Sequence, residues 1–163
     1  MPFLEHFGFE SYPFGLTPNP DLYYPCAETE ALLAALKFSL SRGDGFLKIV
    51  GEVGTGKTLI CRLLLGSLAK QPVNTAYLCA PSPIKPEHIP SMIAKEFGVK
   101  VKATQDSAAA LRDFLVAEHA RGRRCVLVID EAQALGEEGL EAVRLLSNLE
   151  TETDKLLQVV LLG

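Results

Sequence analysis

A glycine-rich loop between an apolar run and a helical pattern restricts the fold more than any other part of this chain. Residues 51–58 read Gly-Glu-Val-Gly-Thr-Gly-Lys-Thr, the G-x-x-x-x-G-K-[ST] pattern of a phosphate-binding loop, or Walker A motif. The apolar run at 46–50 predicts a short buried strand, and the pattern at 59–65 predicts a helix. This order predicts an α/β fold in which a helix N-terminus faces bound phosphate.

The loop residues have separate expected roles. Those expected to contact nucleotide are Gly51, Glu52, Val53, Gly54, Thr55, Gly56, Lys57, Thr58 and Leu59. The glycines let the backbone turn tightly and aim its N–H groups at phosphate oxygens. Lys57 should reach the β- and γ-phosphates as a catalytic cation, and the Thr58 hydroxyl should bind Mg²⁺. The alternative, a glycine turn that matches by chance, is disfavoured by the strand and helix on either side.

Two acids follow a second apolar run. Residues 125–129 are all apolar, which predicts a strand in the middle of a parallel sheet, and Asp130 and Glu131 come next, as in a Walker B motif. We expect Asp130 to hold the Mg²⁺ shell, through water, and Glu131 to act as general base on the attacking water. The alternative is that both acids only cap the following helix. An acid directly after the metal-binding Asp favours hydrolysis over transfer of the phosphoryl group to a second metabolite.

Composition excludes several classes of protein. The chain has 163 residues, with 48% hydrophobic, 22% charged and a net charge of −4. This balance predicts one globular domain and makes nucleic acid an improbable partner. No run approaches the about 18–20 apolar residues of a membrane span. The N-terminus lacks a signal-peptide pattern, and the four cysteines lack disulfide or zinc spacing. A cytoplasmic location is predicted.

Strand and helix patterns alternate along the chain. Residues 1–25, rich in Pro and aromatics, predict an arm packed on the core, and 26–163 the core itself. Strands are predicted at 46–50, 73–79, 125–129 and 156–162. Helices are predicted at 27–41, from 59 to about 69, after a proline-rich turn up to about 97, at 107–121 and at 139–150. We therefore expect a parallel sheet with helices on both faces and right-handed crossovers.

The helix predicted at 139–150 has two distinct faces. Its apolar positions, expected to face the sheet, are Leu140, Val143, Leu146 and Leu149. Arg144 and Asn148 share the other side. One interpretation is a solvated face with a Glu141–Arg144 pair. The other is that Arg144 and Asn148 face a neighbouring subunit or the γ-phosphate.

Several strings together resemble the AAA+ ATPases of bacterial secretion and pilus assembly, the general secretion pathway protein A and MSHA pilus biogenesis type. They are Phe14–Pro20, Leu22–Tyr23, Glu30–Leu32, Gly51–Thr58, Asp130–Gln133 and Arg144–Thr151. The resemblance implies a P-loop NTPase core of the AAA+/ASCE kind with sheet order 5-1-4-3-2. It also implies homo-oligomers, secretion or pilus assembly partners at the inner membrane, and an adenine wall at 22–25 with Tyr23 and Tyr24.

The departures from this family are equally specific. Family members continue past the position of Gly163 with a sensor residue, a fifth strand, an arginine finger and a helical lid. We therefore expect this chain to be a truncated core that belongs to a longer protein. Some AAA+ proteins place an Asn after the second strand to restrain the catalytic Glu. This chain has Cys79, Ala80, Pro81 and Ser82 there, which leaves that restraint in question.

The expected function is ATP binding and hydrolysis with Mg²⁺ in a secretion or MSHA-like pilus apparatus. ATP is preferred over GTP because no N-K-x-D string follows the loop. One alternative is a DNA-associated AAA+ ATPase of the initiator or transposition-helper type, which the acidic balance disfavours. Another is a non-hydrolysing scaffold switched by nucleotide, against which the intact Asp130 and Glu131 argue.

Overall fold

The computed structural model describes residues 2–10, 12–13, 15, 18–80, 84–101 and 105–163. Helices in this part are α1 Pro2–Phe7, α2 Ala27–Arg42, α3 Lys57–Leu68, α4 Ile89–Glu96, α5 Ser107–Ala120 and α6 Gly136–Ser147. Strands are β1 Phe46–Ile49, β2 Val73–Cys79, β3 Arg124–Asp130 and β4 Gln158–Leu162. Short 3-10 turns occupy Pro20–Leu22, Pro86–His88 and Ala132–Leu135. Of the positions singled out by sequence, Phe14, Leu16, Thr17, Pro81 and Ser82 lie outside the described residues.

The four strands form one parallel sheet in the order β1-β4-β3-β2. This order agrees with the predicted P-loop NTPase topology for the strands described. Both inner strands, β3 and β4, are mainly apolar and almost fully buried, as expected for parallel strands covered on both faces. The carboxyl ends of β1, β3 and β4 therefore lie side by side at one edge, where open α/β sheets bind ligands.

Helices cover both faces of the sheet, as predicted. Alternate β3 residues divide between two buried clusters. Val126 and Val128 pack with residues of α2 and α3, whereas Leu127 and Ile129 pack with residues of α4, α5 and α6. The chain thus forms a three-layer sandwich, and the glycine loop lies between β1 and α3.

The structure corrects the limits of two predicted elements and adds a short helix in the arm. Helix α6 starts at Gly136 and ends at Ser147, about one turn earlier than the predicted 139–150, because it begins directly after the turn Ala132–Leu135. Strand β4 starts at Gln158, not at 156. The arm contains a six-residue helix, α1, with a proline at its first position. Within the described residues, no helix is long and apolar enough to cross a membrane.

Candidate nucleotide-binding site

The loop between β1 and α3 has a backbone that requires glycine. Gly54 and Gly56 have φ angles of 85° and 82°, in the left-handed region that favours glycine. At Gly51 the restriction is steric, since a Cβ there would lie 2.8 Å from the Thr55 hydroxyl oxygen. Gly54 and Gly56 are therefore required by the backbone conformation, whereas Gly51 is required because a side chain there would collide with Thr55.

Hydrogen bonds close the loop on itself. Lys57 Nζ donates to the carbonyl oxygens of Gly51 at 2.7 Å and Glu52 at 2.9 Å. Thr55 Oγ1 also donates to the Glu52 carbonyl at 2.8 Å. Glu52 and Thr55 thus shape the loop, and the Lys57 ammonium lies across it, where an anion would offer it stronger, charge-assisted bonds.

Helix α3 starts at this loop with an uncapped N-terminus. Gly56 is its N-cap residue and supplies no side-chain hydrogen bond. The first backbone N–H groups of a helix lack partners within the helix, and the helix dipole adds partial positive charge there. Loop and helix together present the donors that a phosphate group needs.

The buried carboxylate of Asp130 faces this loop from the end of β3. Asp130 is only 3% exposed. Its Oδ2 accepts a hydrogen bond from Thr58 Oγ1 at 2.9 Å and a second one from the Tyr77 hydroxyl at 3.2 Å. The two predicted metal ligands, 72 positions apart in the chain, are therefore in direct contact.

Tyr77 is a residue of this site that sequence reasoning missed. Burial raises the pKa of its phenol, and the neighbouring Asp130 charge raises it further, so Tyr77 stays a hydrogen-bond donor at neutral pH. Tyr77 lies in β2 opposite Val128, two residues before the end of the strand. The signal for it was a polar side chain in β2 two residues before Cys79, the residue that pairs with Asp130, and that signal depends on knowing that β2 pairs with β3.

Glu131 occupies an unusual backbone conformation. Its φ of 55° and ψ of 41° are left-handed, and it is the one non-glycine among the described residues with positive φ. Such conformations cost about 1–3 kcal/mol and concentrate at functional sites. The Glu131 side chain makes no capping bond to the turn that follows, contrary to the alternative that it is a helix cap. It instead accepts a hydrogen bond from Gln133 Nε2 at 2.5 Å.

A cavity of about 370 Å³ joins these groups. It is lined by Pro18, Gly51, Val53, Gly54, Gly56, Lys57, Thr58, Leu59, Glu131, Gln133 and Gly163. Most of the residues predicted to bind nucleotide therefore share one space with the predicted base. Asp130 lies behind Thr58, at hydrogen-bond distance from it.

A second cavity, of about 520 Å³, adjoins the first one and lies against the arm. Both cavities are lined by Pro18 and Leu59, and the second also by Tyr23 and Tyr24. The Tyr23 hydroxyl donates to Glu30 at 3.1 Å, whereas Tyr24 is 87% exposed. Arg62 Nη1 of α3 holds this part of the arm through the Pro18 carbonyl at 2.6 Å.

Arg144 and Asn148 lie elsewhere. They line a groove of about 710 Å³ between α6 and β1, together with Phe46 and Leu140, and neither lines the 370 Å³ cavity. Arg144 forms a two-pronged ion pair with Glu141, with both nitrogen–oxygen distances 2.7 Å, and this pair lowers the pKa of the Glu141 carboxyl. The ion pair foreseen for a solvated face is therefore present.

Known proteins resemble this chain in sequence and in fold. General secretion pathway protein A of Aeromonas hydrophila is 40% identical over 166 residues, which cover 99% of this chain and 30% of that protein. The chain thus spans less than a third of that relative. Two solved structures share the fold, at 20% and 23% identity.

The first is the Aeropyrum pernix ORC2 protein in ADPNP-ADP complexes, with a TM-score of 0.61 over 83% of this chain and 40% of that one. The second is Cdc6p from Pyrobaculum aerophilum, with a TM-score of 0.63 over 86% of this chain and 40% of that one. Residues 40–163 match the family described as AAA domain. Because this match includes the glycine loop, the acids of β3 and all four strands, the chain belongs to the AAA domain family.

Proposed function

We propose that this chain binds ATP with Mg²⁺ and hydrolyses the γ-phosphate, as the ATPase module of a secretion or pilus assembly apparatus. One observation carries the proposal. The Thr58 hydroxyl contacts the buried Asp130 carboxylate at 2.9 Å, at the wall of a cavity that Lys57 and Glu131 also line. A loop that only binds phosphate needs neither the buried Asp130 nor the exposed Glu131.

The residues present suit Mg²⁺. Thr58 and Asp130 offer a hydroxyl and a carboxylate oxygen, the hard ligands that Mg²⁺ prefers. Mg²⁺ commonly takes one or two protein ligands and completes its shell with phosphate oxygens and water. When bound, it neutralises charge on the phosphates.

The remaining roles belong to the chain itself. Lys57 exchanges its bonds to the Gly51 and Glu52 carbonyls for phosphate oxygens and stabilises charge on them. Glu131, exposed at the rim, accepts a proton from the water that attacks the γ-phosphate. Positioning and charge neutralisation supply most of the rate in this chemistry.

The arm, residues 1–25, completes the nucleotide site of the core, residues 26–163. The 520 Å³ cavity beside the arm adjoins the phosphate cavity at Pro18 and Leu59, and it is lined by Tyr23 and Tyr24. An aromatic and apolar wall suits an adenine ring, which stacks on such surfaces.

The relative supports the proposed cellular role. General secretion pathway protein A is named for a secretion pathway, and 99% of this chain aligns with it. The partners proposed are secretion or pilus assembly proteins at the inner membrane, reached from the cytoplasm, where ATP is. A net charge of −4 favours this role over the DNA-associated one. The groove beside Arg144 and Asn148 is the proposed contact between subunits of a homo-oligomer.

Two variants test the enzymatic part. Lys57→Ala should abolish the thermal stabilisation by Mg-ATP, while Lys70→Ala, at an exposed lysine beyond the end of the same helix, should keep it. Glu131→Gln should retain Mg-ATP binding and lower turnover by about 10²- to 10⁴-fold, the usual contribution of a general base. Equal thermal shifts in the two lysine variants would show the phosphate site to be misassigned.

A further inference from the structure

The Glu131 carboxylate is held by a side chain that comes two residues later. Gln133 Nε2 donates to Glu131 Oε2, and both residues line the phosphate cavity. Gln133 lies in the turn Ala132–Leu135, so the same short stretch of backbone sets the position of donor and acceptor.

The other end of the Gln133 amide rests on the end of the sheet. A Cβ at Gly163 would lie 2.7 Å from Gln133 Oε1, which places the amide directly against the backbone that follows β4. Gly163 in turn accepts a hydrogen bond from the Gly51 N–H and donates one to the Ile49 carbonyl. Gln133 is therefore hydrogen-bonded to the acid after β3 and lies close to Gly163, whose backbone is hydrogen-bonded to the start of the glycine loop.

The end of β2 does not supply this restraint within the described residues. Cys79 ends the strand with an exposed thiol, and Ala80 has no polar side-chain atom. Gln133 is the hydrogen-bond partner of the Glu131 carboxylate in the part of the chain that is described.

We infer that Gln133 is the positioning residue of the general base: it fixes the Glu131 carboxylate at the cavity rim. The inference rests on the proposed ATPase function and adds a residue to it. Glu131 is an exposed side chain with three rotatable bonds, whereas a general base must stay within hydrogen-bond reach of the water. A misplacement of about 1 Å can cost about 10²-fold in rate.

The chemistry of an amide suits this task. A Gln side chain donates a hydrogen bond to a carboxylate yet carries no charge. It orients Glu131 without adding a positive charge beside it, as an Arg or Lys neighbour would. The strained backbone of Glu131 and the Gln133 bond together direct the carboxylate toward the cavity.

Three variants and a control test the inference through single-turnover hydrolysis and Mg-ATP binding. Gln133→Met keeps the length of the side chain and removes the donor, and should lower the hydrolysis rate about 10-fold with the dissociation constant within about threefold. Gln133→His keeps an N–H donor and should recover part of the rate. Gly163→Ala should act in the same direction as Gln133→Met, because its methyl group displaces the amide. Gln71→Met, at an exposed glutamine remote from the cavity, is the matched control.

A crystal structure of Gln133→Met gives an answer that does not depend on turnover, since Glu131 should adopt another rotamer. An unchanged Glu131 rotamer, or a wild-type hydrolysis rate in Gln133→Met, would overturn the inference while leaving the ATPase proposal intact. An equal loss of binding and rate would also overturn it, because Gln133 would then contact nucleotide. Failure of the ATPase proposal is recognised separately, by wild-type turnover in Glu131→Gln.

Discussion

At the scale of single residues, one oxygen atom accepts two hydrogen bonds at the proposed Mg²⁺ position. Asp130 Oδ2 accepts bonds from both Thr58 and Tyr77. A hydroxyl that binds Mg²⁺ must direct a lone pair at the metal, which Thr58 can do while still donating its proton to Asp130. Tyr77 has no such second task, so its bond only fixes the carboxylate.

Tyr77→Phe should therefore weaken the binding of nucleotide with Mg²⁺ more than binding without it. One hydrogen bond contributes about 0.5–1.5 kcal/mol, so the expected loss in Mg-ATP affinity is about 2- to 10-fold. Titration calorimetry with ATP, with Mg²⁺ and then with EDTA, measures both constants. An equal loss under both conditions would assign Tyr77 to the fold, and no loss would remove it from the site.

The residues predicted from sequence are those that belong to contiguous strings. The loop 51–58 and the pair Asp130–Glu131 are local patterns, so their roles can be proposed without a structure. Tyr77 could not be found this way, because its contact with Asp130 depends on the pairing of β2 with β3. Gln133 was seen within the Asp130–Gln133 string, yet its bond to Glu131 depends on the left-handed backbone at Glu131.

At the scale of helices and strands, a buried carboxylate ties α5 to the sheet. Glu118 is only 2% exposed, and it accepts hydrogen bonds from Arg123, Arg121 and Asn74. The bond from Arg123 is the main cause that lowers the pKa of the Glu118 carboxyl to about 2, against the opposing effect of burial. The Glu118 carboxylate thus connects the last turn of α5 with the turn before β3 and with the start of β2.

This anion predicts a stability that depends on pH. Because the folded-state pKa of Glu118 is lowered from 4.5 to about 2, its contribution is fully present above pH 4.5 and is lost as the pH falls toward 2. Glu118→Gln should lower the free energy of unfolding at pH 7 and flatten its decline between these pH values. Urea denaturation at several pH values measures this, with Glu96→Gln, an exposed acid of α4, as control. An unchanged slope in Glu118→Gln would contradict the role of this cluster.

Element boundaries were predictable where the pattern was strong. Predicted and observed limits agree within one residue at each end for α2 and β3, and coincide for β2. The predicted range of α6 lay too far toward the C-terminus because the apolar pattern continues to Leu149. Leu149 packs on the core after the helix has ended at Ser147. Apolar periodicity reports burial, and burial continues beyond the last helical hydrogen bond.

At the scale of the whole molecule, the site joins parts that belong to different layers. The glycine loop connects β1 to α3, whose buried residues pack on one face of the sheet. The turn that carries Gln133 leads into α6, which packs on the opposite face. Gly163, Gly51 and Ile49 are joined by backbone hydrogen bonds across the sheet edge. A ligand in the cavity therefore contacts segments anchored in both buried clusters.

Nucleotide should consequently stabilise both faces of the sheet together. At about 100-fold excess over its dissociation constant, a ligand that binds only the folded state adds about 2.7 kcal/mol to the free energy of unfolding. If the two clusters unfold as one unit, hydrogen exchange should show this same gain around Leu64 of α3 and around Leu115 of α5, both fully buried on opposite faces. Lys57→Ala should show the gain at neither place. A gain in stability confined to α3 would mean that the two buried clusters unfold independently. Nucleotide would then stabilise only one face of the sheet.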